Sequence, residues 1–414
     1  AWGVQYTIYS VNEAWGADPT TFFLESFLEK VPGDTFSWAP AWAVMIPLAL
    51  VWVLVLFVIG RGLSKGVEAA NKVFLPLLVI LFLALVVRAL FLPGAVEGLN
   101  AFFTPNWSAL ADPKVWLAAF AQIFYSLSVG FGIMLTYASY LKPKSNLTGT
   151  ALVAGFANSS FEILAGIGVF SAIGFMAHQG GVSVSEVDGL TGPILSFVTF
   201  PKIISMMPGG PLFGVLFFSS LVLAGVTSLL SLLQVVSGGL QDKFGWSPAR
   251  SALVLGVPAT VISLVLFGTR SGLNNLDIVD NFINSVGVVS SAIMFAVLCA
   301  VAGPRLGALR AHINSVSSVK VPKLWEPLVG IVIPVVLFVM MAMSLVKVLK
   351  DGYEGYPSSY ILIFGWGSVA VAVIASLIFT LIPWKHRPVD THTAVAQILA
   401  DDAEDTASIE GGAK

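Results

Sequence analysis

Gln122, Ser126, Ser128, Gly130 and Gly132 sit inside the apolar stretch FAQIFYSLSVGFGIMLTYASYL, which runs from Phe120 to Leu141. Amide and hydroxyl groups cost free energy in hydrocarbon, and each glycine weakens a helix by about 1 kcal/mol relative to alanine. A helix interrupted at this point frees backbone N–H and C=O groups, which is tolerable at membrane depth only beside a cavity or a bound ligand. Oxygens and freed backbone groups of this kind suit a hard cation or the polar ends of a small solute. The competing reading is a glycine-rich packing seam whose serines bond back to their own helix. The Gly-x-Gly is no nucleotide motif, since it follows no strand and lacks the third glycine.

Two further stretches carry oxygens within apolar runs. Asn158 and Glu162 are four residues apart and so share one helix face. A carboxyl group inside a span is costly and marks a functional position; Asn158, Gln122 and Ser126 offer it polar partners. Its plainer alternative is a protonated acid bonded to a neighbouring helix. In LAGVTSLLSLLQ, Ala224, Thr227, Ser228 and Ser231 form one stripe. That stripe reads as close packing between helices or as a site where a carbonyl near Ala224 and the oxygens of Thr227 and Ser228 hold a cation such as sodium.

The elements that position these residues are membrane helices. The chain of 414 residues is 57% hydrophobic and 11% charged, with a net charge of −2; soluble domains carry about 25% charged residues. The single cysteine, Cys299, precludes an internal disulfide, and the four histidines lack ligand spacing. No catalytic histidine lies near the serines, and nothing favours nucleic acid. Apolar runs of the length a bilayer requires predict an all-α membrane protein with helices near 41–60, 72–92, 116–141, 148–178, 213–240, 250–268, 279–303, 325–348 and 359–383, and an apolar opening stretch at 1–16. The proline-cut region 179–212 predicts short helices on the outer face. Every second loop is basic: Arg61, Lys65 and Lys72, then Lys142 and Lys144, Lys243 and Arg250, Arg305 to Lys323, and Lys385 and Arg387. These loops and the carboxyl terminus are expected in the cytoplasm of a cell whose inner (plasma) membrane holds the protein. Residues 1–383 form one transmembrane domain in this reading, and 384–414 an acidic, disordered cytoplasmic tail. Sixteen helical residues reach only about 24 Å, short of a ~30 Å hydrocarbon core, so 1–16 is expected to be part of a longer helix.

The stretches GFGIMLTYASYL, VVRALFLPGAVEGL, FVTFPK and AGVTSLLSLLQ, in this order over nearly the whole chain, resemble the neurotransmitter:sodium symporters, bacterial leucine-transporter-like members in particular. The resemblance implies an inverted-repeat fold with discontinuous helices and a midplane site. It makes 1–16 the outer half of the family's third helix, with two helices and the start of the third absent, and implies that such a piece transports nothing by itself. It also implies two sodium sites and no organic cofactor. Ser126 and Asn158 would serve the first ion; Ala224, Thr227 and Ser228 the second. Tyr9 matches the tyrosine that binds the substrate carboxylate. Tyr125, Ser126, Ser128, Phe131, Ser228 and Leu232 match positions lining the substrate pocket, with Tyr125 as its lid. Asp280, in NLDIVDNF, matches the acidic outer gate. Glu162 stands where bacterial members carry the negative charge that chloride supplies in animal members, and Gln122 is assigned with it to charge balance and proton handling.

The expectation is a sodium-coupled symporter importing a neutral, apolar amino acid by alternating access, independent of chloride, with Glu162 able to release a proton in the return step. Its partners are the amino acid, sodium ions and the bilayer; the oligomeric state is not legible. The alternatives are a symporter for another small amine or amino-acid-like solute, a channel, an intramembrane enzyme, and a non-transporting membrane fragment.

Overall fold

Nineteen consecutive residues from Trp42 to Gly60 contain no charge, and they fold as a single α-helix. The computed structural model describes residues 1–142, 144–187, 192–301 and 305–385. Its helices are α1 Trp2–Tyr9, α2 Trp42–Gly60, α3 Gly66–Leu90, α4 Ala95–Phe103 and α5 Pro113–Ser126. They continue with α6 Ile133–Ser139, α7 Leu147–Gly180, α8 Gly192–Met206, α9 Gly210–Phe244 and α10 Pro248–Phe267. Last come α11 Gly272–Val301, α12 Arg305–Val316, α13 Trp325–Asp351 and α14 Ser358–Leu381. Among the described residues, one isolated antiparallel bridge, Pro40 to Thr269, is the only extended pairing. Eight of these helices are long and apolar enough to cross a membrane. They match eight of the nine expected spans. The ninth, 116–141, is α5 and α6 separated by a break.

One expectation needs correction. The opening stretch 1–16 is helical only to Tyr9, and turns follow, with Glu13 in the left-handed region at φ +49°. The connection 94–115 contains a helix of its own, α4. The region 179–212 does fold as short helices, chiefly α8. Most of the expected acidic tail, from residue 386 on, lies outside the described residues.

The chain divides into two compact units. The first holds residues 1–111, 159–241 and 246–277. Its core is aromatic: Tyr6, fully buried, packs its ring against Trp15, Phe23, Phe27, Phe197 and Phe218. Bulky rings fill the space between α1 and α8, and the indole of Trp15 donates to the Ser205 hydroxyl at 2.7 Å. Glycine allows close helix contact elsewhere; a Cβ on Gly256 of α10 would lie 2.0 Å from a Leu56 methyl of α2. Arg88, at the end of α3, lays its guanidinium 5.6 Å from the Phe213 ring centroid.

The connection from Pro19 to Ala41 is clamped to the start of α11. Arg270 pairs with Glu29, the Ser37 amide donates to the Ser271 hydroxyl at 2.9 Å, and the Ala41 amide to the Gly268 carbonyl at 2.9 Å. Asp18 caps this connection. Hydrogen bonds from the Thr21 hydroxyl, then from the Thr21 and Thr20 amides, hold its carboxyl below the ordinary carboxylate value. The cap is therefore in place at neutral pH and lost only as pH falls through that lowered value.

The second unit holds residues 112–158, 242–245 and those from 278 on. Its core joins Phe124, Val289, Ala292 and Leu337 from α5, α11 and α13. Asn146 and Thr148 bond to Ser318 and Val319, and the Lys243 ammonium donates to the Phe379 carbonyl at the end of α14. In both units, these loop contacts join only connections that the Lys/Arg count places on the same side of the membrane.

Candidate functional site

α5 begins on a strong signal: Asp112 accepts from the Lys114 amide at 2.9 Å and Pro113 occupies the first turn. It stops at Ser126 because the next residues leave the helical region. Ser128, Gly130 and Gly132, at alternate positions, have φ of +52°, +83° and +78°. The Ser128 and Val129 amides fall back on the Tyr125 and Phe124 carbonyls at 3.0 Å each. Gly132 then caps α6, and the Thr136 amide reaches the Gly132 carbonyl at 3.0 Å. A serine held left-handed costs about 1–2 kcal/mol, a strain characteristic of functional segments.

The break is supported from α11. The Ser291 hydroxyl lies 2.9 Å from the Gly130 carbonyl and 2.8 Å from the Val288 carbonyl of its own helix, its one proton shared between them. A Cβ on Gly130 would stand 2.9 Å from the Ala292 Cβ and 3.0 Å from the Val288 carbonyl oxygen. Ser291 was missed in the sequence. The consecutive serines in VVSSAIMF are the same kind of signal that singled out Ser126 and Ser128.

On this unit the structure brings together the two side chains assigned to the first ion. The Asn158 amide nitrogen donates to the Ser126 hydroxyl at 2.5 Å. The amide oxygen of Asn158 is the atom a cation would take. Tyr125 is half-buried, its ring edge-on to Phe124 at 5.3 Å. Phe131 and Ser128 are half-buried as well. Ser128 borders an apolar cavity of about 550 Å³, with Cys299, Trp325 and Leu337 on the other walls. Gln122 is exposed. Asp280, also exposed, accepts from the Asn284 amide at 2.9 Å, a partner the sequence reading did not name.

The other candidates belong to the first unit. Thr227 is buried and its hydroxyl donates to the Ala224 carbonyl at 2.9 Å, so two oxygens assigned to the second ion are adjacent. Ser231 donates to the Thr227 carbonyl at 3.1 Å. These are the back-bonded hydroxyls of the packing alternative, yet both oxygens keep lone pairs for a cation. Ser228 and Leu232 are exposed, and Ala224 and Glu162 half-buried. Tyr9 is half-buried among rings, 5.4 Å from Phe22 and 5.9 Å from Phe27.

Comparison with known proteins bears on this arrangement. Residues 7–387 match the model of the sodium:neurotransmitter symporter family. An uncharacterized sodium-dependent transporter of Methanocaldococcus jannaschii is 36% identical over 381 residues, 91% of this chain and 76% of the relative. The sodium- and chloride-dependent glycine transporter 2 of Xenopus laevis is 28% identical over 373 residues, 88% of this chain and 46% of the relative. The chain thus spans about three quarters of the archaeal relative and less than half of the glycine transporter. Among solved structures, MhsT in complex with L-phenylalanine matches with a TM-score of 0.64 and 30% identity, covering 83% of this chain and 76% of that one. The matched families are transporters rather than enzymes, and the fold is that of the leucine-transporter-like proteins. The chain, a multi-pass membrane protein, belongs to the sodium:neurotransmitter symporter family.

Proposed function

We propose that the protein is a sodium-coupled symporter that imports a neutral, apolar amino acid by alternating access. The observation that carries this reading is the helix break at 127–132, with Ser126 at its edge bonded to Asn158. Ser126 and Asn158 hold one sodium ion, and Ala224, Thr227 and Ser228 another. Tyr9 takes the substrate carboxylate. Tyr125, Ser128, Phe131 and Leu232, with Ser126 and Ser228, line the substrate pocket, and Asp280 gates its outer end. Phe131 and Leu232 give apolar walls, which suit an uncharged side chain. MhsT, whose structure holds L-phenylalanine, supports that class of substrate. The protein lies in the inner (plasma) membrane with its basic loops and carboxyl terminus in the cytoplasm.

Charge balance explains Glu162. Two sodium ions in a low-dielectric site need compensating negative charge, and the Glu162 carboxylate supplies it without chloride. Coupling follows because sodium and substrate complete each other's coordination, so that each raises the other's affinity by the same factor.

Ligand binding to the folded state raises its melting temperature, and this gives a direct test. The protein, expressed from its full reading frame and purified in detergent, is melted in sodium or potassium gluconate with a panel of amino acids. Sodium stabilises it, an apolar amino acid adds further stabilisation only in sodium, and replacing gluconate by chloride changes neither. Equal melting in sodium and potassium across the panel contradicts the sodium reading. Stabilisation that requires chloride contradicts the role given to Glu162.

A further inference from the structure

We infer that residues 91–111, the connection after α3, form an anchor lying in the outer lipid interface of the bilayer. The sequence from Ala89 to Pro113 contains no lysine or arginine, yet it carries large apolar residues: Phe91, Val96, Phe103 and Trp107. All four are exposed, at 78%, 66%, 58% and 74%. Isolated exposed apolar side chains are ordinary, but a run of them on one short connection marks a surface that meets something apolar.

α4 explains why. Ala95, Gly98 and Phe102 recur at helical spacing and form the face seated on α7. The contact is close. A Cβ on Gly98 would fall 1.8 Å from the Phe170 carbonyl oxygen, one on Gly174 would fall 2.6 Å from the Gly98 amide nitrogen, and Phe102 stacks on Phe170 at 4.9 Å. Val96, Leu99 and Phe103 recur at the same spacing about a quarter-turn away. A helix with two apolar faces needs two apolar surroundings, and α7 supplies one of them. Glu97, on the remaining polar side, approaches His178 Nδ1 at 3.4 Å.

Depth identifies the second surrounding as lipid. α7 has 34 residues, or about 51 Å at 1.5 Å per residue, whereas the hydrocarbon core is about 30 Å thick, roughly twenty residues. Centred on α7, that core ends close to Ile173 and Gly174, within the stretch from His178 to Gly166 along which Gly94, Gly98 and Phe102 dock. The end of α3 gives the same level independently, because Ala89 and Leu92 pack with Ala172 and Phe175. α4 and the residues around it therefore cross the level where aromatic rings favour the boundary between hydrocarbon and head groups. The apolar surface of α3, with Leu83, Val87 and Leu90 exposed, continues into Phe91 without interruption. The anchor leads directly into Pro113 and the broken helix, so lipid restrains the segment from which that helix starts.

Spin labels test this one position at a time. Val96→Cys, Phe103→Cys, Trp107→Cys and, as the polar control, Glu97→Cys are made in a Cys299→Ala background. The labelled protein is reconstituted in vesicles of phosphatidylethanolamine and phosphatidylglycerol. Relaxation by oxygen, which concentrates in lipid, is compared with relaxation by a water-soluble nickel chelate. The anchor gives an oxygen-to-nickel ratio above unity at positions 96, 103 and 107 and below unity at 97. Nickel access dominating at all four positions would place the connection in water. Access to neither reagent at 96, 103 and 107 would mean that protein covers it. Either result overturns the proposal and leaves the transport reading standing.

Discussion

Alanine at Gly130 lowers the stability of the protein by about 2–5 kcal/mol, the sum of about 1–2 for a side chain in the left-handed region and about 1–3 for overpacking. Both causes act at this one residue: φ is +83°, and the new Cβ would meet the Ala292 Cβ at 2.9 Å and the Val288 carbonyl at 3.0 Å. Relief would have to move α11 or reset the break, and either change disturbs the carbonyl that Ser291 holds. Gly155 supplies the contrast. It lies within α7 with ordinary φ and nothing within 4 Å of an added Cβ, so alanine there is neutral or stabilises by up to about 1 kcal/mol. Detergent melting curves of the two variants separate them: Gly130→Ala melts well below the parent, and Gly155→Ala does not. Equal melting of Gly130→Ala and parent would mean that the break does not constrain its backbone.

Asn158→Ala is expected to raise the sodium concentration for half-maximal uptake by at least about tenfold, equivalent to about 1.4 kcal/mol. The substitution removes the hydrogen bond to Ser126, a net loss of about 0.5–1.5 kcal/mol in stability, and also the proposed coordinating oxygen. The two losses are separable by measurement: the hydrogen bond is read in the melting temperature without sodium, and the coordinating oxygen in the sodium dependence of uptake. If Asn158 only braces the break, Asn158→Ala lowers the melting temperature and leaves sodium dependence unchanged. If it coordinates sodium, Asn158→Ala shifts that dependence more than its effect on melting accounts for.

Much of this architecture can be read directly from the residues. Hydropathy places the long spans because nothing but a helix satisfies the backbone in lipid. The break in 116–141 is legible for the same reason in reverse: serines and glycines at mid-membrane have no use in an intact span. α4 is not legible by that rule, since nine residues with two apolar faces look like any loop with scattered hydrophobics. The end of α1 at Tyr9 is hidden because Trp15 belongs to the aromatic core and Val11 and Ala14 lie between, so apolar residues continue after the helix stops. Partners are harder still to read. Asn284 on Asp280 follows helix spacing, whereas Ser291 on Gly130 joins residues 161 apart, a pairing that only the folded chain defines.

The most direct test of the central claim is uptake of a radiolabelled neutral amino acid into vesicles holding the protein expressed from its full reading frame. An inward sodium gradient is compared with an equal potassium gradient. The account predicts accumulation above equilibrium with sodium, none with potassium, and collapse of the gradient-driven phase in Asn158→Ala. Uptake that is indifferent to the cation for every amino acid tried would contradict it.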